Sequence, residues 1–296
     1  MKFTLNLPMA SGPFQAIPPS QYLDVAVAAE AAGFDHLCVP DNVMYPETVS
    51  GPYPYSPDGR RVWNAETPCI DPWVAIPAMA AVTSRIGFFS NVTKLAIREP
   101  ILVAKTVGSA ACLSGGRVAL GVGLSWMPEE FRALHQDMRS RGARVDEAIE
   151  VIRALLRGGM VEYHGKHYDF DPLQLSPAPE APVPIFVGGV SPAALRRAAR
   201  HGDGWISMLH EEAELRGLVA RLQAWRRELG REAAPFEIKV LWVRPLDADQ
   251  VARLEELGVT DLLVTPWLAD GEADDRIGTK RASLARFAAE VIGARR

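Results

Sequence analysis

The sequence predicts an α/β fold, a closed (β/α)8 barrel that runs from residue 1 to 296 as one domain. Short apolar runs alternate with amphipathic helical patterns along the whole chain, and the alternation repeats eight times in 296 residues. No linker-like or low-complexity stretch interrupts it. A doubly wound open sheet is the competing arrangement, but such a sheet seldom needs eight regular repeats.

The strand candidates are 3–7, 36–39, 86–90, 118–122, 185–187, 205–207, 238–243 and 261–265. Helical patterns lie near 20–32, 71–83, 99–113, 142–157, 192–201, 211–229, 248–257 and 280–293. Several boundaries carry chemical punctuation. Ser20 is placed to cap the first helix and Gly33 to stop it. Ser191 and Pro192 supply a cap and a first-turn proline for the fifth helix, Gly202 follows its end, and Gly258 closes the seventh.

Three connections are too long for simple turns. Residues 41–70 and 123–141 follow the second and fourth strands, so a barrel sends both out at its C-terminal end as pocket walls or lids. Residues 158–183 follow the fourth helix and start at the opposite end. Their 161–168 segment reads as a hairpin turning at Gly165. His164 and His167 lie there, too far from the active end to be read as a metal pair, and no metal site is expected.

Composition narrows the partners. With 48% hydrophobic residues the chain buries a large core. A net charge of −4, from 32 basic and 36 acidic residues without a basic block, argues against nucleic acid. Cys38, Cys69 and Cys112 form no C-x-x-C pair and read as reduced thiols of a cytoplasmic protein. The N-terminal segment is too short and polar for a signal peptide, and no stretch approaches the roughly 20 apolar residues of a membrane span. A soluble cytoplasmic protein is expected.

Function in a barrel belongs at the strand C-termini. There the sequence places Asp41-Asn42, Asn91-Val92-Thr93, Gly121-Val122-Gly123 with Trp126 and Glu129 beyond, and Gly188-Gly189-Val190-Ser191. Later strand ends add Ser207 to His210, Arg244 and Trp267. Two glycines before a capped helix let backbone approach a ligand, and the helix end presents free N–H groups, a ready phosphate cradle. A tight β-to-α turn that merely needs glycine fits those residues equally well. Gly121 and Gly123 leave room for a flat ring beside Trp126, or else serve local turn geometry. Asp41 and Asn42, with no obvious core role, favour polar contact with a ligand. Trp205, inside Gly202-Asp203-Gly204-Trp205, reads as core.

The stretch Leu113-Ser114-Gly115-Gly116-Arg117-Val118-Ala119-Leu120-Gly121-Val122-Gly123, followed by Trp126 and Glu129-Glu130-Phe131, resembles the luciferase-like monooxygenase superfamily. So do Arg141-Gly142-Ala143-Arg144-Val145-Asp146-Glu147, the run from Pro182 to Gly189, and Gly202-Asp203-Gly204-Trp205. The resemblance spans nearly the whole chain, is most specific from about 85 to 207, and is strongest to the coenzyme F420-dependent oxidoreductases.

That resemblance implies a luciferase-like barrel with insertions after strands two and four, and F420 or FMN across its mouth. It implies a non-proline cis peptide at Asn91–Val92 as a backstop for the ring. Gly188, Gly189, Val190 and Ser191 would cradle the cofactor phosphate, with Asp41, Asn42, Asn91, Val92, Gly121, Gly123 and Trp126 around the ring. Many F420-dependent relatives have Asp-His where this chain has Asp41-Asn42, and an amide cannot titrate near neutral pH. His210 is the substitute candidate beside Asn42 in the catalytic group, with His135 behind it. The expected activity is hydride transfer between F420 and a small-molecule substrate under a roof of Tyr45, Tyr53, Tyr55 and Trp63, with Phe14 from the first loop. An FMN-dependent monooxygenase fed by a separate reductase is the alternative, and a non-catalytic flavin-binding protein is a third. Relatives commonly form homodimers, and the same is expected here.

Overall fold

Eight parallel strands close on themselves in the computed structural model, which describes residues 1–11, 16–56, 58–208, 211–272 and 274–295. They are β1 (Lys2–Asn6), β2 (His36–Val39), β3 (Gly87–Ser90), β4 (Val118–Gly123), β5 (Ile185–Gly188), β6 (Gly204–Ser207), β7 (Glu237–Trp242) and β8 (Asp261–Val264). Spatial order follows chain order. β1 pairs with β8 from Lys2↔Asp261 to Leu5↔Val264, and β3 pairs with β4 at Phe88↔Val118. The sheet has no free edge, so the open doubly wound arrangement is excluded.

The outer ring consists of α1 (Tyr22–Ala31), α2 (Pro72–Ala81), α3 (Pro100–Leu113), α4 (Arg141–Leu156), α5 (Pro192–His201), α6 (Glu212–Glu228), α7 (Ala248–Glu256) and α8 (Ile277–Phe287). Capping fixes where several of them start. Asp71 accepts from Trp73 N at 2.8 Å, Ser191 accepts from Ala194 N at 3.2 Å, and each is followed by a first-turn proline. Ser20 does not cap α1. Pro18 and Pro19 fix the entering backbone into a short 3-10 turn, Gln21 N–H is already used by the Pro18 carbonyl at 2.9 Å, and the helix starts at Tyr22.

At the other end of α1, Glu30 holds the entry to β3. Its carboxylate accepts from Ser84 N at 2.9 Å, Arg85 N at 2.6 Å and Ile86 N at 2.9 Å. Burial alone would raise this carboxyl, but the Ile86, Arg85 and Ser84 N–H groups outweigh it and hold it down at about 2. A depressed carboxyl stabilises the fold above its ordinary value of 4.5 and loses that contribution as pH falls toward 2. Glu30→Gln is therefore expected to cost about 1 kcal/mol at neutral pH, with the difference from wild type shrinking as pH falls below 4.5 toward 2. Urea denaturation at pH 7 and pH 3 measures it.

The barrel interior is layered. At the floor, Lys239 is fully buried, with Nζ 2.6 Å from Asp261 Oδ2 and 2.6 Å from Glu237 Oε2. Thr4 Oγ1 donates to Asp261 at 2.9 Å, His36 Nδ1 stands 3.6 Å from the same carboxylate, and Lys2 pairs with Glu237 at 2.8 Å. Phe89 and Phe186 cover the ammonium, their ring centres 4.9 and 4.4 Å from Nζ. Above this lies an apolar layer of Cys38, Phe89, Ala119, Phe186, Ile206 and Leu263, with Val92 and Leu241 packed against it toward the mouth.

The insertions leave β2 and β4 at the C-terminal end. The 158–183 connection forms an antiparallel hairpin, Val161–His164 with Asp169–Leu173. Glu147 of α4 accepts from the N–H groups of Lys166, His167 and Tyr168 in its turn. His164 pairs with Asp169 at 2.7 Å. Among the described residues no cluster of three or more His, Cys, Asp and Glu is arranged for a metal, and no helix is long and apolar enough to cross a membrane.

Candidate active site

The mouth is built around a bulge at the end of β3. The Asn91–Val92 peptide is cis, and the chain then forms a two-residue ladder, Thr93↔Val122 and Lys94↔Gly123, against β4. Three glycines make the room. A Cβ on Gly121 would stand 1.9 Å from the Ser90 carbonyl oxygen, and one on Gly123 would stand 2.6 Å from Val92 Cγ2. At Gly188 a Cβ would meet Val92 Cγ1 at 3.2 Å. The space expected to receive a ring directly at Gly121 and Gly123 is thus filled by the bulge, and Val92 becomes the surface presented above it. A buried relay pins the segment: Trp73 Nε1 donates to Thr93 Oγ1 (3.0 Å), Thr93 Oγ1 to Ser90 Oγ (2.8 Å), and Ser90 Oγ to the Gly121 carbonyl (2.9 Å). Asn91 Nδ2 donates to Asn6 Oδ1 of β1 at 3.2 Å.

Asp41, after β2, is buried and fully engaged. It accepts from Arg98 Nη1 at 2.6 Å, Arg98 Nη2 at 3.0 Å and Lys94 N at 2.8 Å. A forked guanidinium pair of this kind fixes geometry, so Asp41 positions the loops instead of offering free oxygens. Asn42 behaves differently: its side-chain carbonyl accepts from Lys94 Nζ at 3.1 Å. The same ammonium pairs with Glu130 Oε1, and Glu130 Oε2 accepts from Ser125 Oγ at 2.5 Å. Glu130 has no exposed surface, and Ser125 sits at φ 62°, a conformation uncommon outside glycine. Loops from three strands thus converge on one ammonium.

At the end of β5, Gly189 adopts φ 116°, which an L side chain rarely tolerates. Trp205 is fully buried and its Nε1 donates to the Gly189 carbonyl at 2.7 Å, so this core tryptophan also sets the glycine turn. Val190 and Ser191 follow into the capped start of α5. The result is a turn with backbone N–H groups at a helix N-terminus, the geometry that suits a phosphate.

Aromatic residues wall one side of the mouth. Tyr53 makes tilted or edge contacts with Tyr55 (5.5 Å), Trp63 (5.0 Å) and Trp126 (5.5 Å between ring centres), which joins the β2 and β4 insertions. Burial, with Tyr55 alongside, pushes the Tyr53 phenol up to about 12. Ser50 Oγ donates to Glu129 at 2.5 Å, Ser11 N donates to the Val62 carbonyl at 2.7 Å, and Arg61 stacks over Tyr45 at 3.8 Å. His135 is exposed just beyond the short helix Pro128–Ala133. His210 and Phe14 lie outside the described residues.

Sequence reasoning gave no role at the site to Lys94, Arg98, Glu130 or Ser125, although Glu130 stands in the family motif. The available signal was a lysine and an arginine set among apolar neighbours in Val92-Thr93-Lys94-Leu95-Ala96-Ile97-Arg98, directly after a strand.

Residues 1–290 match the family model described as luciferase-like monooxygenase. An uncharacterized protein of Mycobacterium tuberculosis is 43% identical over 274 residues, covering 92% of this chain and 94% of its own length. The F420-dependent glucose-6-phosphate dehydrogenase of Kineococcus radiotolerans is 30% identical over 246 residues, 80% of this chain and 67% of that protein. Among solved structures, a monooxygenase from Streptomyces bottropensis superposes with a TM-score of 0.78 at 17% identity, covering 100% of both chains. The coenzyme F420-dependent tetrahydromethanopterin reductase of Methanopyrus kandleri gives a TM-score of 0.74 at 15% identity over 99% of both chains.

Proposed function

The chain belongs to the luciferase-like monooxygenase family, and from that membership we propose that it is an oxidoreductase working with coenzyme F420 on a small organic substrate. The observation that carries this reading is the joining of two features at one mouth. Val92, seated on Gly123 and Gly188, offers a fixed apolar backstop for a flat ring. Gly188 and Gly189, then Val190 and Ser191 at the start of α5, offer a phosphate cradle beside it. The F420-dependent dehydrogenases among the relatives support the deazaflavin over other ring cofactors.

F420, when bound, supplies a two-electron hydride carrier. The chain's own residues orient it. Asn42 and Asn91 present amide groups near the bulge, Trp126 and Tyr53 close one side, and the inner layer under Val92 excludes water from below. Asp41 acts one step back, through Arg98 and the Lys94 backbone.

Side-by-side titration of the purified protein with F420 and FMN, followed by fluorescence and absorbance, tests the reading. F420 is expected to bind at least about tenfold more tightly than FMN. The reverse preference would place the protein with oxygen-using FMN enzymes fed by a separate reductase. Binding of neither would remove the proposal, and tight binding without turnover across a broad substrate panel would favour a non-catalytic flavin-binding role.

We also propose a homodimer. Exposed apolar side chains lie on consecutive helices, Leu23 and Val27 on α1, Val74 on α2 and Leu102 on α3. Light scattering after size exclusion is expected to give twice the 32.3 kDa chain mass, and Val74→Glu with Leu102→Glu to give the monomer.

A further inference from the structure

A site that reduces or oxidises carbon by hydride transfer usually needs a partner for the proton, and Asn42 cannot be that partner. Around the bulge, Asp41 is occupied by Arg98 and by the Lys94 backbone. Lys94 is different. It stands two residues after Val92, and across the two-residue ladder its side chain leaves on the face opposite to that of Thr93. Thr93 points the other way, to Ser90 and Trp73.

The ammonium is nearly enclosed and held from two sides, by Glu130 and by Asn42. Glu130 is in turn fixed by Ser125, whose left-handed backbone aims its hydroxyl at the carboxylate. The other charged or titratable groups packed around Lys94 are Asp41, with Arg98 behind it, and Cys69. An ammonium has three N–H donors and no acceptor, and two acceptor side chains face it among the described residues. The remaining N–H suits an acceptor oxygen brought in by a ligand.

We propose that Lys94 is the proton-donating residue of this site and that the substrate presents a carbonyl oxygen to it. The proposal rests on the hydride-transfer reading above. As the carbonyl carbon takes up the hydride supplied by the reduced deazaflavin, the C=O π pair moves to oxygen, and that oxygen takes a proton from Nζ. The carbonyl becomes an alcohol, the deazaflavin is oxidised by two electrons, and the neutral amine regains its proton from water. Glu130 and Asn42 are positioning residues that hold Nζ at the mouth.

The test uses the F420-loaded protein with acetate as probe, because its carboxylate carries the anionic oxygen that a reduced carbonyl develops. Dissociation constants for F420 (by fluorescence) and for acetate (by saturation-transfer NMR) are compared for wild type, Lys94→Arg and Lys94→Met/Glu130→Gln. The double variant removes both charges together, so no buried carboxylate is left unpaired. F420 affinity is expected to stay within about threefold in all, while acetate affinity falls at least about tenfold in the double variant alone. Lys94→Arg, which keeps a cation with N–H donors at this position, is expected to bind acetate within about threefold of wild type. Undiminished acetate binding by the double variant, or a loss in Lys94→Arg as large as in the double variant, overturns the role of Lys94. Failure of wild type to bind F420 instead overturns the cofactor reading, and this proposal with it.

Discussion

Gly121→Ala is expected to abolish cofactor binding, weakening it by at least about a hundredfold, and to lower the melting temperature as well. The added methyl would stand 1.9 Å from the Ser90 carbonyl oxygen and 3.1 Å from its carbon. Both are backbone atoms, and Ser90 is itself pinned by its hydroxyl to Gly121 and Thr93. No side chain can turn aside to absorb the overlap, so the end of β3 has to move, and the bulge with it. Gly123→Ala provides the contrast. Its methyl meets only Val92, with Cγ2 at 2.6 Å and Cβ at an ordinary 3.7 Å, so adding Val92→Ala should restore folding there. Thermal melts together with F420 titration of the three variants check this. A Gly121→Ala protein that melts and binds like wild type would show that the bulge is not held as described.

Lys239→Met is expected to have the largest effect on stability alone, about 3–5 kcal/mol, because it leaves Asp261 buried without its cation. That corresponds to a drop on the order of 10 °C in melting temperature. Lys239→Met/Asp261→Asn should recover most of it, since the charge that lacked a partner is gone. The pair also sets a pH window. Burial alone would raise Asp261, but Lys239 outweighs it and holds the carboxyl below its ordinary 3.8. Its contribution is present above that value and is lost as pH falls through the depressed one. Burial alone would lower Lys239, but Asp261 and Glu237 hold it above 10.5, so its contribution is present below that value and lost in strong alkali. Chemical denaturation from pH 3 to pH 10 is expected to show a broad plateau in wild type and a flatter, lower curve in the double variant.

The barrel was legible because burial marks the sequence: the strands are hidden on both faces and read as short apolar runs, while each helix between them hides one face. Each predicted strand overlaps an observed one; the helix starts furthest from expectation are those of α8, which begins at Ile277 instead of 280, and of α1, where local proline chemistry moves the start from Ser20 to Tyr22. The motif residues were legible as a pattern but not as roles. Arg117 clamps the turn into β4 by donating to the Ala80, Ser114 and Ile86 carbonyls, Asp146 pairs with Arg197, and Asp203 accepts from Ile185 N. These hold the frame and touch nothing at the mouth. The Lys94–Glu130 pair was invisible because 36 residues separate its members, and neither periodicity nor spacing connects two loops that meet only when the barrel closes.

Closure of the ring has a consequence for the chain while it is being made. Asp261 is joined to Thr4 across 257 positions and to Lys239 across 22. At about 5–20 residues per second, β1 waits roughly 13–50 s for the strand that completes it, whereas Lys239 waits about 1–4 s for its anion. For most of its synthesis the nascent barrel therefore exposes two unpaired strand edges, and the last few dozen residues supply the neighbour for both. Truncation before Asp261 should consequently yield an aggregating chain instead of a smaller folded one.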